Sequence, residues 1–259
     1  AGAQSHPAAP QMQHRGQPLP GRGAWLCIRL ALFAAVCPEA SGNWQWSRLA
    51  VLGPSPASRQ GHAVVELDQR IYIIGGCLQE IRCYNDVHIF DTVTSTWSQE
   101  VLAGEAPDPR GGHTATLLGT DVFVFGGANS ETTFSDVHRL DLAELRWTRV
   151  VPLTGGPGGR TSHAAAADAN GRIFVFGGYD AAGVFLNDLW VLSFSWINGI
   201  PSASWSRPAP SGPVPMARES HSFTFMDDKF VMFGGFTSGS RTTNDAHVYD
   251  PLTQSWTRL

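Results

Sequence analysis

The chain has 259 residues, of which 42% are hydrophobic and 15% charged, with 28 Gly and 17 Pro. That balance describes a folded chain of short strands and turns and excludes a disordered polymer. A formal net charge of −4 excludes the basic footprint of a general nucleic-acid binder.

Residues 1–42 differ from everything after them. Ala1 to Gly23 is rich in Pro, Gln and Gly, has no strand pattern, and carries Arg15 and Arg22. An apolar run from Ala24 to Cys37, interrupted by Arg29, is too short to span a bilayer. It fits a signal-peptide core, with Ala40 and Gly42 at the −3 and −1 positions of a cleavage before Asn43. A disordered leader fits the same residues. The first reading predicts a secreted chain and the second a cytoplasmic one. The cysteines, Cys27, Cys37, Cys77 and Cys83, form no Cys-x-x-Cys pair, which argues against a zinc knuckle or a redox motif.

From residue 59 onward the sequence repeats four times. The first block carries Arg59, His62, Gly75-Gly76, Asp86, Asp91 and Trp97, and the second Arg110, His113, Gly126-Gly127, Asp136, Asp141 and Trp147. The third carries Arg160, His163, Gly177-Gly178, Asp188, Ser193 and Trp205, and the fourth Arg218, His221, Gly234-Gly235, Asp245, Asp250 and Trp256. The spacings agree within a residue except between Ser193 and Trp205, where extra residues fall in or near Asn198-Gly199-Ile200-Pro201. A period near 50 residues signals stacked repeats. Each block reads as four strands, a to d. In block two these are His113 to Leu118, Val122 to Phe125, Val137 to Leu140 and Arg146 to Val150. The continuous apolar runs of strand b predict burial on both faces, as in sheets stacked face to face.

The pattern Arg-x-x-His, an apolar run ending in Gly-Gly, Asn-Asp-x-apolar and then Trp resembles the kelch repeat family. The likeness covers 59–259, with blades near 59–101, 110–151, 160–208 and 218–259. Pro107 to His113 is similar to the longer-repeat kelch proteins, of the Rab9 effector or leucine-zipper-like adaptor type. The resemblance implies an all-β propeller over 43–259. The Arg, His, Gly-Gly, Asp and Trp of each block are then structural, the Arg pairing with an acidic residue of its own or the next blade.

Trp46 and the residues after it resemble a strand d with no strands a to c before it. In a ring, such a strand completes the last blade, but the fourth block already holds its own. Kelch propellers commonly have six or seven blades. The expectation is therefore four four-stranded blades plus one leading strand in an open partial ring, a chain cut at its C-terminal end.

No His-Glu-x-x-His, Gly-x-Ser-x-Gly or phosphate-binding loop occurs. Kelch-like copper radical oxidases need a Tyr–Cys pair with His ligands, and iron-dependent specifier proteins a Glu-x-x-x-Asp-x-x-x-His run that is absent here. The pairs Asp86/His88, Asp136/His138 and Asp245/His247 place two ligand types on one strand face, but on three separate strands. The expectation is a protein-binding module without cofactor, nucleic acid or membrane span; the alternative is a metal-dependent enzyme or oxidase on the same frame. Strands a and c leave one face of the ring and b and d return to it, so the b–c and d–a loops share a face. The b–c loops vary, and Arg82, Phe134, Tyr179, Phe185, Phe236 and Arg241 on them are the candidate partner contacts. Cys77 and Cys83 flank one such loop and predict a disulfide across it, with two free thiols as the alternative.

Overall fold

The computed structural model describes residues 47–79, 82–197, 200–239 and 241–259. The leader and Trp46 lie outside them, and with them the expected signal peptide and orphan strand; Ser47 to Ala50 are exposed and form no strand. Every regular element among the described residues is a strand.

Each repeat is an antiparallel meander of four strands. Blade 1 has Ala63–Leu67, Arg70–Leu78, Arg82–Asp91 and Thr96–Gln99 as strands a to d. Blade 2 has Thr114–Leu118, Asp121–Phe125, Val137–Asp141 and Arg146–Val150. Blade 3 has Ala164–Ala167, Ile173–Phe176, Leu189–Ile197 and Ile200–Ser206. Blade 4 has Ser222–Met226, Lys229–Phe233, Ala246–Asp250 and Ser255–Arg258.

Local chemistry sets the turns. Asp68-Gln69 and Asp227-Asp228 both have positive φ, the backbone of a two-residue hairpin turn that matches the strand twist. The second repeated Asp closes the c–d turn. Asp91, Asp141 and Asp250 each accept the backbone N–H groups two and three residues on. Blade 3 has Ser193 at that position. There the extra residues lengthen the c–d hairpin, with Ser195 opposite Ser202, and the tight turn is not made.

Strand b supplies the core. Asp121–Phe125 and Ile173–Phe176 are buried at every residue, because alternate side chains face the preceding and the following blade. Val122 and Val124 cluster with Tyr72 and Ile74, Phe123 and Phe125 with Ile173 and Val175, and Phe174 and Phe176 with Phe230 and Met232. Trp147, Trp205 and Trp256 of strand d join these same three clusters, each towards the blade before its own.

The repeated Arg is a clasp within its own blade. The guanidiniums of Arg59, Arg110, Arg160 and Arg218 hold Asp86, Asp136, Asp188 and Asp245 with two parallel hydrogen bonds each. Each also donates to the carbonyl of the first Gly of the pair. That ties strand a to both ends of the b–c loop. The Asp oxygen faces His88, His138 or His247 Nε2 at 3.0, 3.0 and 2.9 Å, or Trp190 Nε1 at 2.7 Å. Burial works against the charge on Asp136, but the bonds from His138 and Arg110 hold its carboxyl well below the usual carboxylate range.

The blades are stitched at the start of strand a. Gly112 N–H donates to Gly61 C=O, Ser162 N–H to Gly112 C=O, and Ser220 N–H to Ser162 C=O, at 2.8, 2.8 and 2.9 Å. The second Gly of each pair, at Gly76, Gly127 and Gly178, donates to the carbonyl of Arg110, Arg160 and Arg218 on the next blade, each at 2.8 Å. Gly127 has φ +90°, and a Cβ there would lie 2.8 Å from that of His113 and 2.9 Å from Gly111 O, so no side chain fits. The arc is open: among the described residues no sheet precedes blade 1 or follows blade 4.

Candidate functional site

The b–c loops of blades 1 to 3 and the segments leading into strand a of all four blades line one cavity of about 640 Å³. Gln60, Gly61, Gly112, Ser162 and Ser220 enter from the starts of the a strands, and Cys83, Asn129, Ser130, Tyr179 and Asp180 from the b–c loops. The stitched backbone of Gly61, Gly112, Ser162 and Ser220 makes its floor rigid, while the loop residues above differ in every blade.

The loops are held by short bridges to the segment leading into strand a. Gln60 pairs with Cys77, Gly111 with Ala128 and Thr161 with Tyr179; Glu219 pairs with Phe236. Cys77 and Cys83 are joined by a disulfide across their loop, and the two Cys face each other in register. Asn129 and Asp180 cap their own loops by accepting backbone N–H groups of Glu131 and Thr132, and of Ala182 and Val184.

The residues expected to contact a partner fall into three situations. Tyr179, Phe185 and Phe236 form a row across blades 3 and 4, with ring centres 6.2 and 6.0 Å apart, each partly exposed. Arg82 and Arg241 are exposed on their loops, and Arg82 leans over the Tyr84 ring at 5.5 Å. Phe134 differs. It is buried, its ring 3.8 Å from the Arg110 guanidinium carbon. Tyr84 holds the same place over Arg59 at 4.3 Å, and in blade 4 Thr243 Oγ1 accepts from Arg218 there and donates to Gly235 C=O. Phe134 is thus part of the clasp and not of the exposed face. Its position two residues before the repeated Asp, shared with Tyr84, was the signal for that role.

The repeated His residues carry the electrostatics beneath this face. His163 and His221 turn edge-on against Phe125 and Phe176 of the blade before, at 5.1 and 5.5 Å, and Thr114 Oγ1 lies 2.9 Å from His163 Nε2. Burial, reinforced by the neighbouring Arg charge, pushes His113 down to about 3 and His221 to about 4, and His163 well below its usual value. These imidazoles are neutral packing groups at physiological pH.

One further recurring device ties the chain before each blade to strand d. Leu52, Ala103 and Ser211 run parallel to strand d of the blade that follows them and bond its backbone. The following residue is Gly53, Gly104 or Gly212, where a Cβ would collide with the carbonyl oxygen of Trp97, Trp147 or Trp256. In blade 3 the equivalent is Thr154, whose Oγ1 donates to Trp205 C=O at 2.8 Å and accepts from Trp205 N–H at 2.7 Å. A hydroxyl replaces the close backbone approach. The signal was a Gly six residues before three of the four clasp Arg residues.

Sheets of four meandering strands, stacked about shared Trp-filled interfaces and clasped by Arg–Asp pairs, define a kelch-type β-propeller. The chain belongs to the kelch-repeat family: the KLHDC2/KLHL20/DRC7 Kelch-repeats domain matches residues 40–167 and 112–259. It is 34% identical over 202 residues to Kelch domain-containing protein 3 of Bos taurus, covering 74% of this chain and 51% of that protein. It is 28% identical to Acyl-CoA-binding domain-containing protein 4 of Arabidopsis thaliana, over 83% of this chain and 32% of that protein. It is 30% identical to an N-(sulfonatooxy)prop-2-enimidothioate sulfolyase of Thlaspi arvense, over 80% and 64%. The chain spans about half the length of the curated kelch-domain relatives it matches.

Proposed function

We propose that this chain is a protein-interaction propeller segment whose partner lies across the b–c and d–a loops. The observation that carries the reading is the cavity itself: a stitched, repeated floor under loops that differ from blade to blade. The row Tyr179, Phe185 and Phe236, which starts at the cavity with Tyr179, offers partly exposed aromatic surface, and the exposed Arg82 and Arg241 offer charge on the b–c loops. Aromatic and Arg side chains in this arrangement are the usual anchors of interfaces. Phe134 supports the loop from below.

The sulfolyase relative brings an enzymatic reading within the family. The Asp-x-His pairs of this chain are its nearest approach to a ligand set, and each Asp is already held by an Arg clasp on a separate blade. This supports binding over catalysis. The test is affinity capture with the full chain and with Arg82, Tyr179, Phe236 and Arg241 together changed to Ala. Capture should fall at least tenfold while cooperative unfolding is kept. Capture that survives this change, and is lost instead by changes in the c–d turns at Thr92 and Ala143, would falsify the assignment.

A further inference from the structure

We propose that the cavity seats a positively charged side chain of the partner, an Arg or a Lys, against the Asp180 carboxylate and beside Tyr179. This rests on the loop-face reading above and says what the guest carries. The stretch of wall concerned belongs to the b–c loops of blades 2 and 3 and the floor beneath them, and each of these two blades has a blade on either side in this chain.

The hydrogen-bond supply of the wall sets the polarity of the guest. A backbone N–H has a single proton to give, whereas a carbonyl oxygen has two lone pairs to offer. On the floor, the N–H groups of Gly112, Ser162 and Ser220 are spent on the blade before. In the loops, Ala128 N–H donates to Gly111 C=O, Tyr179 N–H to Thr161 C=O and Asp180 N–H to Val184 C=O, at 2.8, 3.1 and 3.1 Å. The accepting carbonyls, those of Thr161 and Ser162 among them, each keep a second lone pair. The hydroxyls of Ser130, Thr133 and Ser162 serve either role. An anion needs N–H groups or cations gathered around it, and this wall has used its N–H groups already. The guest that fits brings its own donors. Arg and Lys bring several each and no acceptor.

Charge points the same way. Among the described residues, Asp180 is the one charged side chain that lines the cavity. Its Oδ1 caps the loop, accepting from Ala182 and Val184 N–H at 2.9 Å each. Its Oδ2 accepts from no described residue, so half of a partly exposed carboxylate is left for a guest. Glu131, exposed on the loop of blade 2, adds a second negative charge. The guanidiniums of Arg110 and Arg160 beneath are buried and already matched by Asp136 and Asp188. Arg82 and Arg241 stand on the loops of blades 1 and 4 and line no part of the cavity. Tyr179, next to Asp180 and partly exposed, lines the same wall, and the face of an aromatic ring attracts a cation. A carboxylate, an aromatic ring and a set of oxygens form a seat for a cationic side chain.

The experiment is selection of random displayed peptides on the immobilised full chain, run in parallel on wild type and on Asp180→Asn. Asn keeps the oxygen that caps the loop and loses the charge. The wild-type pool should be enriched in Arg or Lys at least threefold over the library. In a synthetic peptide from that pool, replacing the Arg by citrulline, its neutral isostere, or the Lys by norleucine should weaken binding to wild type at least tenfold. The same replacement should weaken binding to Asp180→Asn less than twofold. Asp180→Ser, which also keeps a side-chain acceptor for the cap, replaces Asp180→Asn if the latter loses its cooperative melt. A pool without cations overturns the proposal, as does an equal penalty in both proteins or an empty selection. The loop-face reading is judged separately on the same peptides. A pool without cations whose binding is lost when Arg82, Tyr179, Phe236 and Arg241 are together changed to Ala leaves that reading standing. A pool bound equally well by that variant and by wild type overturns it.

Discussion

Acid should loosen the blade stack well before it reaches the Arg–Asp clasps. His113 and His221 are neutral in the folded chain because burial and the nearby Arg110 and Arg218 depress them to about 3 and about 4. In the unfolded chain each titrates at its ordinary value near 6.5. The folded pKa of a base is lowered, so between these limits the unfolded state binds a proton that the folded state refuses, and stability is lost as the pH falls. From pH 7 to pH 5 each of the two should cost about 2 kcal/mol, the work of protonating a group about 1.5 units below its free pKa. Together that is about 4 kcal/mol, a large share of the ~5–15 kcal/mol that holds an ordinary domain. The clasp carboxylates act in a different window. Asp86, Asp136, Asp188 and Asp245 are depressed acids, so their stabilisation is present above pH 3.8 and is lost only below it. Urea unfolding at half-unit steps from pH 7 to pH 4.5 measures the slope. Replacing His113 and His221 by Gln should remove about 4 kcal/mol of the loss between pH 7 and pH 5. An unchanged slope in that double variant refutes the account of these two residues.

Two further outcomes follow from the clasp and the Thr154 contact. Asp136→Asn leaves the buried Arg110 without its carboxylate and should destabilise the chain by about 3–5 kcal/mol in urea unfolding. Thr154→Val removes both partners of the Trp205 backbone and should cost about 1–3 kcal/mol, while Thr154→Ser, which keeps the hydroxyl, should recover most of it in the same assay.

Much of the fold was legible because it repeats. Asp86, Asp136, Asp188 and Asp245 stand within one residue of the same offset from Gly-Gly, so a shared partner was expected, and the structure assigns it within the blade. Strand b was legible for a simpler reason: Ile173-Phe174-Val175-Phe176 has no polar side to give to water, and both its faces are covered. The roles within the b–c loops were less legible. Phe134 and Phe185 are the same residue type on equivalent loops, yet one lies on a guanidinium and the other lies, tilted, between Tyr179 and Phe236. Loop composition gives exposure only on average. The offset from the nearest repeated residue decides which side chain turns inward.

Position 154 shows how the frame tolerates such variation. The chain before each blade must come close enough to strand d to bond the Trp backbone, and three times this is done by a Gly whose missing Cβ leaves room for the carbonyl. A side chain at that place normally forces the strands apart. Thr154 avoids this by putting its own oxygen where the bond is needed, accepting from one backbone group of Trp205 and donating to the other. The geometry of the blade is kept while the sequence departs from the repeat. The same reasoning applies to Trp190, which donates to Asp188 in the place of the His on the other blades. What is fixed is the hydrogen bond each position must satisfy, and a residue of another type is accepted when it supplies that bond. The b–c loop tips that edge the cavity carry no such shared obligation beyond their short bridges. They are free to differ, and that freedom is why the proposed recognition surface lies there and not on the clasped, stitched frame beneath it.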